Sequence, residues 1–193
     1  MTKNRLEAFS DGVIAILITI MVLELKVPHG TDLAALRPML PTFLAYVLSF
    51  VVLAIYWNNH HHMLHATRHV SGGVLWANVH LLFWLSLIPF TTAWMGENEF
   101  APLPTAAYGA VLLLAAMAYL ILQTTIIASG AMAAEVVAAL RDDWKGKISA
   151  TLYAAAVPLA FVHRAIAGAL YAIVALIWLV PDRRIENALR KRS

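Results

Sequence analysis

The chain has 193 residues, of which 61% are hydrophobic and 13% charged, and its formal net charge is +3. This balance excludes an ordinary soluble domain and indicates an all-α integral membrane protein. The absence of cysteine excludes disulfides and thiolate metal sites. The basic excess is more typical of the cytoplasmic side of a membrane protein than of a nucleic-acid-binding protein, so no nucleic-acid partner is expected.

The first predicted element is a membrane helix over about residues 5–26 that carries charge at its start. Arg5, Ser10 and Asp11 come directly before the apolar run 13–23. An ionisable group at membrane depth is costly and usually faces protein or a water-filled path. The start of this helix is therefore a candidate functional site.

The apolar part of the first helix forms one narrow stripe. On a helical wheel of about 100° per residue, Ile16, Ile20 and Leu23 share a face beside Thr19, and Asp11 lies nearly opposite. This face is either an ordinary lipid or packing surface, or the wall of a pore. In a pore, rings of the three aliphatic side chains would form hydrophobic constrictions with a hydroxyl ring at Thr19. One such helix per subunit cannot enclose a pore, so this interpretation requires an oligomer.

The end of the first helix carries Glu24, which lies at about 80° from Ile16 on the wheel and near the external end of the span. Two interpretations remain open. Glu24 either attracts cations at an external mouth or is a plain interfacial residue.

Five further spans follow, because a helix needs about 20 residues to cross the hydrocarbon core. They cover about 38–61, 73–95, 104–129, 145–163 and 165–181, and kinks are expected at Pro89 and Pro158. With the N-terminus inside, 11 of the 14 basic residues lie in cytoplasmic segments. The sequence therefore predicts one transmembrane domain, 1–193, with six helices, both termini cytoplasmic and a basic cytoplasmic tail at 182–193.

A second set of polar residues is expected at the cytoplasmic depth of the first helix. Trp57, His60 and His61 end the second span and Asn78 follows near the start of the third. They can meet Arg5, Ser10 and Asp11 there and provide the partners that a buried carboxylate needs. His61 and His65 are spaced to share a metal ion. Consecutive histidines on a helix point in different directions, however, and no metal site is expected.

Three motifs in order resemble one family, the TMEM175-type potassium channels in their short bacterial form. They are Arg5-x-x-x-Phe9-Ser10-Asp11, then Tyr56-Trp57-x-x-His60-His61, and then Trp76-x-Asn78 with Pro89-Phe90-Thr91. The resemblance implies a homotetramer whose first helices line a central pore, with potassium selectivity but no carbonyl filter. It implies constriction rings at Ile16, Ile20 and Leu23. It also implies packing and network roles for the motif residues Arg5, Phe9, Ser10 and Asp11.

The sequence therefore predicts a potassium-selective or potassium-preferring cation channel, not an enzyme, in the bacterial plasma membrane. Potassium is the expected permeant ion, and other monovalent cations are the alternative. The protein is expected to lie in the lipid bilayer and to need no cofactor. The alternatives are a proton-coupled transporter that uses Asp11 and the histidines, and a membrane scaffold with a structural polar core. Transporter folds usually show inverted repeats and broken helices, and neither is visible in the sequence.

Overall fold

Apolar helices joined by short connections make up almost all of the structure. The computed structural model describes residues 2–141 and 143–179, so the predicted basic tail 182–193 and the end of the sixth predicted span lie outside the described residues. Two short 3₁₀ segments, Met21–Glu24 and Leu33–Met39, follow the first helix. The α-helices within the described residues are α1 Lys3–Ile20, α2 Leu40–His65, α3 Gly72–Ser86, α4 Ile88–Glu97, α5 Pro102–Ala128, α6 Ala134–Arg141, α7 Trp144–Val162 and α8 Arg164–Leu179.

Four helical stretches within the described residues are long and apolar enough to cross a membrane. They coincide with the first four predicted spans and cover Lys3–Glu24, Leu33–His65, Gly72–Glu97 and Pro102–Ala128. Helices α7 and α8 occupy the places of the fifth and sixth predicted spans. Helix α8 has 16 described residues, which at 1.5 Å per residue is about 24 Å, less than a full hydrocarbon core. Six membrane crossings therefore stay a prediction.

The third predicted span is two helices and not one kinked helix. Helix α3 ends at Ser86, Leu87 separates the two, and α4 begins at Ile88 with Pro89 in its first turn. Proline is well suited to the first turn of a helix, where its missing N–H is not needed, whereas its ring clashes with a preceding helical turn. The break consequently lies two residues before Pro89. Pro158, in contrast, lies inside α7.

Helix α5 is the centre of the protomer. Its most extensive contacts are with α7 and α3, and α7 also packs along α8. Helix α1 packs on α2 and, over a smaller area, on α3. The first helix therefore lies at the edge of the protomer, with one side against its neighbours and the other uncovered.

A close approach between α5 and α8 depends on a glycine. Tyr171 on α8 is fully buried, and its hydroxyl donates a hydrogen bond to the carbonyl of Thr105 at 3.0 Å. The phenol crosses α5 directly over Gly109, where an added Cβ would collide with its ring and hydroxyl. Gly109 thus allows the tyrosine to reach its acceptor.

Replacing Gly109 with alanine is expected to destabilise the protomer by about 1–3 kcal/mol, because overpacking forces the buried phenol out of position. Thermal unfolding of the purified protein measures the loss. The matched control is Gly168→Ala on α8, where an added Cβ would have no neighbour within 4 Å among the described residues. That variant should be neutral or slightly stabilised by the better helix propensity of alanine. Equal melting temperatures for the two variants would contradict the steric argument.

Candidate functional site

Helix α1 has one buried face and one exposed face. Leu6, Ser10 and Ile14 on α1, and Met21 directly after it, are at most 2% exposed and pack into the protomer. The aliphatic stripe predicted on the wheel lies on the uncovered side: Ile16 is 61%, Ile20 45% and Leu23 76% exposed. Uncovered apolar side chains on a protomer require a cover, which is lipid, another subunit or a dewetted pore.

The stripe continues past the end of the α-helix by a change of helix type. The chain tightens into a 3₁₀ turn at Met21–Glu24, whereas the wheel assumed α-helical geometry as far as Glu24. In a 3₁₀ helix, side chains three residues apart eclipse one another. Leu23 therefore lies almost directly along the axis from Ile20, and the α-helical position assigned to Glu24 does not apply.

Thr19 lies on the exposed side of α1 beside the stripe. Its hydroxyl is within hydrogen-bond distance of two carbonyls of its own helix, that of Ala15 at 2.9 Å and that of Ile16 at 3.1 Å. The single hydroxyl proton is therefore directed at the backbone. The lone pairs of Thr19 Oγ1 remain free to meet water or a cation.

A fully buried polar network joins α1, α2 and α3. The side-chain amide of Asn78 donates to Ser10 Oγ at 3.0 Å, and its carbonyl oxygen lies 2.7 Å from His60 Nε2. Because that oxygen can only accept, His60 Nε2 is the donor. All three residues are at most 1% exposed. The network thus holds the start of α1 against the two helices behind it.

Asp11 is hydrogen-bonded to a tryptophan of α2 and not to a residue of the buried network. Its carboxylate accepts a hydrogen bond from the indole N–H of Trp57 at 3.0 Å. Asp11 is partly buried and Trp57 is 42% exposed. The sequence predicted that these residues would lie together, and the structure places Asp11 on the side of α1 away from Ile16.

Two motif residues lie outside these contacts. Arg5 and Phe9 are exposed at the start of α1, and Phe9 is 50% exposed. Within the described residues Arg5 has no hydrogen bond or ion pair. The structure therefore does not bring Arg5 to Asp11 inside one protomer.

The predicted alternative of a metal ion shared by two histidines does not match the ring geometry. The rings of His61 and His65 are stacked, with centroids 6.0 Å apart and planes at 18°. Imidazole lone pairs lie in the ring plane, so stacked rings do not aim both nitrogens at a common point between them. Within the part of the chain that the structure describes, no group of three metal-ligating side chains occurs.

The far end of α1 faces a groove of about 600 Å³ that is bounded by Ile20, Glu24, Phe90 and Glu97. Sequence reasoning missed the ion pair beside it. Lys26 Nζ lies 2.5 Å from Glu97 Oε1, and this hydrogen bond with the Glu97 carboxylate raises the pKa of Lys26. The sequence signal that could have found the ion pair is the pair of opposite charges at Lys26 and Glu97, close to the ends of the first and third spans. These two spans end on the same side of the membrane. Glu24 itself is exposed, as the mouth interpretation requires.

Comparisons with known proteins agree in family. Residues 5–89 match the family model described as the endosomal/lysosomal potassium channel TMEM175. A potassium channel of Chryseobacterium sp. is similar, with 51% identity over 99% of this chain and 100% of that protein. The human endosomal/lysosomal proton channel TMEM175 is 39% identical over 35% of this chain and 17% of its own length.

A solved structure is similar over nearly the whole fold. It is the crystal structure of a lysosomal potassium-selective channel TMEM175 homolog from Chamaesiphon minutus. The similarity covers 92% of this chain and 96% of that one, with a TM-score of 0.80 and 26% sequence identity. The arrangement of helices described above is thus shared with a channel.

Proposed function

This chain belongs to the TMEM175 family of ion channels, and we propose that it is a potassium-preferring cation channel of the bacterial plasma membrane. Membership of this family makes the protein a cation channel and not an enzyme. Such a protein conducts ions passively down their gradient. The finer parts of the proposal concern the pore, its selectivity and its assembly.

The observation that carries the proposal is the uncovered stripe on α1. Ile16, Ile20 and Leu23 are large aliphatic side chains that the protomer leaves exposed, on a helix whose opposite face is buried. Four copies of α1 around a common axis would bury these side chains against each other as successive rings. Hydrophobic rings of this kind gate by dewetting, because an ion must lose hydration to pass them.

The same arrangement assigns roles to the neighbouring polar residues. Thr19 presents hydroxyl lone pairs beside the rings, since its proton is held by its own backbone. The exposed carboxylate of Glu24 would add negative charge at one mouth and concentrate cations there. Asp11, bonded to Trp57 away from the stripe, acts as a packing residue and not as an ion ligand.

Membrane orientation is part of the same proposal. Six helices cross the bilayer, with both termini in the cytoplasm, as the distribution of basic residues predicts. The start of α1 and its polar network then lie on the cytoplasmic side. The groove with Glu24 and the Lys26–Glu97 ion pair lies outside.

Flux from liposomes that contain the purified, assembled protein tests the function. An outward potassium gradient is expected to drive faster cation flux than an equal sodium gradient, and a pH probe reports any proton movement. Mass measurement of the assembled protein in detergent checks that it is a tetramer. No flux from tetrameric protein with either ion would contradict the channel.

The pH probe also separates the second candidate, a proton-coupled transporter that uses Asp11 and the histidines. The observation that favours testing it is that the human relative is a proton channel by name. A fixed ratio of protons moved to potassium ions moved would show that the protein is a proton-coupled transporter and not a channel. Proton flux that varies independently of potassium flux would instead indicate a channel that also conducts protons.

A further inference from the structure

Six side chains face one another in antiparallel register where the N-terminal half of α1 crosses the C-terminal half of α2. On each helix they recur at every fourth residue and so form one face. We call them the α1–α2 seam. They are Lys3, Glu7 and Asp11 on α1, and Trp57, His61 and His65 on α2.

The two ends of the seam are closed by hydrogen bonds. The indole of Trp57 donates to Asp11 at 3.0 Å, and Lys3 Nζ donates to the carbonyl of His65 at 2.6 Å. Glu7 lies four residues from Lys3 and from Asp11, and His61 lies four residues from Trp57 and from His65. Glu7 and His61 therefore fall at the same level in the middle of the seam, and within the described residues no hydrogen bond joins them.

The middle of the seam is not closed. Glu7 Oε1 and His61 Nδ1 are both buried, and within the described residues neither has a hydrogen-bond partner. The ammonium of Lys3 lies 3.8 Å from Glu7 Oε1, too far for a hydrogen bond. The helix interface thus buries a carboxylate oxygen that has only the distant Lys3 charge beside it, and an imidazole nitrogen, and among the described residues neither atom has a hydrogen bond.

We propose that Glu7 and His61 are a proton-binding pair that fastens α1 to α2 when the cytoplasmic side is acidified. The imidazolium form of histidine carries a proton on both nitrogens, whichever tautomer preceded it. A proton taken from water thus gives His61 an Nδ1–H donor. The ionised carboxylate of Glu7 accepts it, and the pair becomes a charge-assisted hydrogen bond.

The seam holds the imidazole in place for this role. The ring of His61 is stacked on Trp57, with centroids 6.0 Å apart and planes at 29°, and on His65. Its plane is therefore fixed along the seam. Histidine is the side chain whose charge ordinarily changes between about pH 5 and 8.

Other charged groups near the pair set the background for its titration. Helices α4 and α8, which also pack on α2, carry no titratable group at this end within the described residues. Helix α3 adds His80, which accepts a hydrogen bond from Trp84. The remaining groups are Lys3, Asp11 and the exposed Arg5 on α1, and His60, His62 and His65 on α2.

This inference rests on the proposed function only where it concerns conduction, because α1 is the proposed pore helix. A fastened seam would hold the start of that helix in one position. Cation flux would then depend on pH through Glu7. The fastening itself is measurable without any flux.

A double-mutant cycle on the full-length assembled protein tests the pair. Glu7→Gln, His61→Gln and the double variant are unfolded thermally at pH 6 and pH 8, with His69→Gln in an exposed segment as the control. Glu7→Gln should lower the melting temperature by about 2–4 °C more at pH 6 than at pH 8, as a loss near 1 kcal/mol does in a chain of this size. In the His61→Gln background this extra loss should disappear.

Two results would overturn the pair. An effect of Glu7→Gln that is equal at both pH values would show that no proton is involved, because Lys3 is charged at both. An extra loss at pH 6 that persists without His61 would assign the proton to another histidine of α2. Where liposome flux is present, the flux ratio of wild type to Glu7→Gln should differ between the two pH values. A constant ratio, with the melting result intact, would overturn the link to conduction alone and leave the channel standing.

Discussion

Replacing Ile16 with asparagine is expected to raise cation flux and to weaken the preference for potassium over sodium. Ile16 is 61% exposed on the uncovered face of α1, where four copies would form the first aliphatic ring. An amide in that ring offers hydrogen bonds to water and to a hydrated ion, so the ion sheds less of its hydration shell. A tenfold rise in flux needs a barrier lower by only about 1.4 kcal/mol. We expect at least that rise in liposomes under a potassium gradient.

The matched control is an equally exposed aliphatic residue away from the proposed pore. Leu176 on α8 is 62% exposed, and α8 has no extensive packing with α1. Leu176→Asn places the same amide on the outside of the protomer and should leave selectivity unchanged. If Ile16→Asn and Leu176→Asn gave the same flux, Ile16 would not be at the constriction.

The exposed face of α1 could be predicted because a regular helix fixes the direction of every side chain. The wheel placed Ile16, Ile20 and Thr19 together and Asp11 opposite, and the structure has that arrangement. What the wheel could not anticipate is the 3₁₀ turn after Ile20. Helix ends often tighten in this way, and nothing in Met-Val-Leu-Glu distinguishes a 3₁₀ turn from an α-helical one.

The partners within the polar network were less predictable than its existence. Antiparallel neighbours bring Ser10, His60 and Asn78 to one depth, and that much follows from the spans. Which side chains bond depends on how α3 is rotated against the other two helices, and tertiary packing sets that rotation. The prediction from sequence consequently placed Arg5 in the network, although Arg5 is exposed, and left out the neighbouring Glu7.

Membrane crossing by the last two helices could not be decided by composition. Helix α7 begins Trp144-Lys145-Gly146-Lys147, so its first turn is basic, and α8 is short among the described residues. Extensive packing of α7 against α5 places it beside a helix long enough to span. Crossing by α7 therefore stays a prediction, which its packing against α5 supports and its hydropathy does not decide.

Replacing Asn78 with leucine is expected to cause the largest loss of stability among single changes near α1. Leucine has the branched shape of asparagine, but its methyl groups cannot hydrogen-bond and need more room than the amide atoms, which lie 2.7 and 3.0 Å from their partners. The change therefore removes hydrogen bonds and crowds the site. It leaves Ser10 Oγ and His60 Nε2 without their partner in a site at most 1% exposed. An unpaired buried polar group costs about 1–3 kcal/mol, although hydrogen bonds in membrane proteins are often worth less. A net loss of about 2 kcal/mol lowers the melting temperature by about 4–8 °C.

Asn98→Leu is the matched control, because Asn98 is exposed and, among the described residues, its amide bonds only the carbonyl of Trp94 in the preceding turn. Asn78→Leu should melt below Asn98→Leu by nearly the full expected drop of about 4–8 °C. Equal melting temperatures would show that the buried network adds no stability. Function separates the network further from mere stability. Asn78 bonds Ser10 on the buried side of α1, and Ile16 lies on the opposite side of the same helix. The Asn78→Leu change should therefore also alter potassium flux at temperatures where the variant remains folded. Normal flux in a destabilised Asn78→Leu protein would mean that the network supports folding without positioning the pore helix.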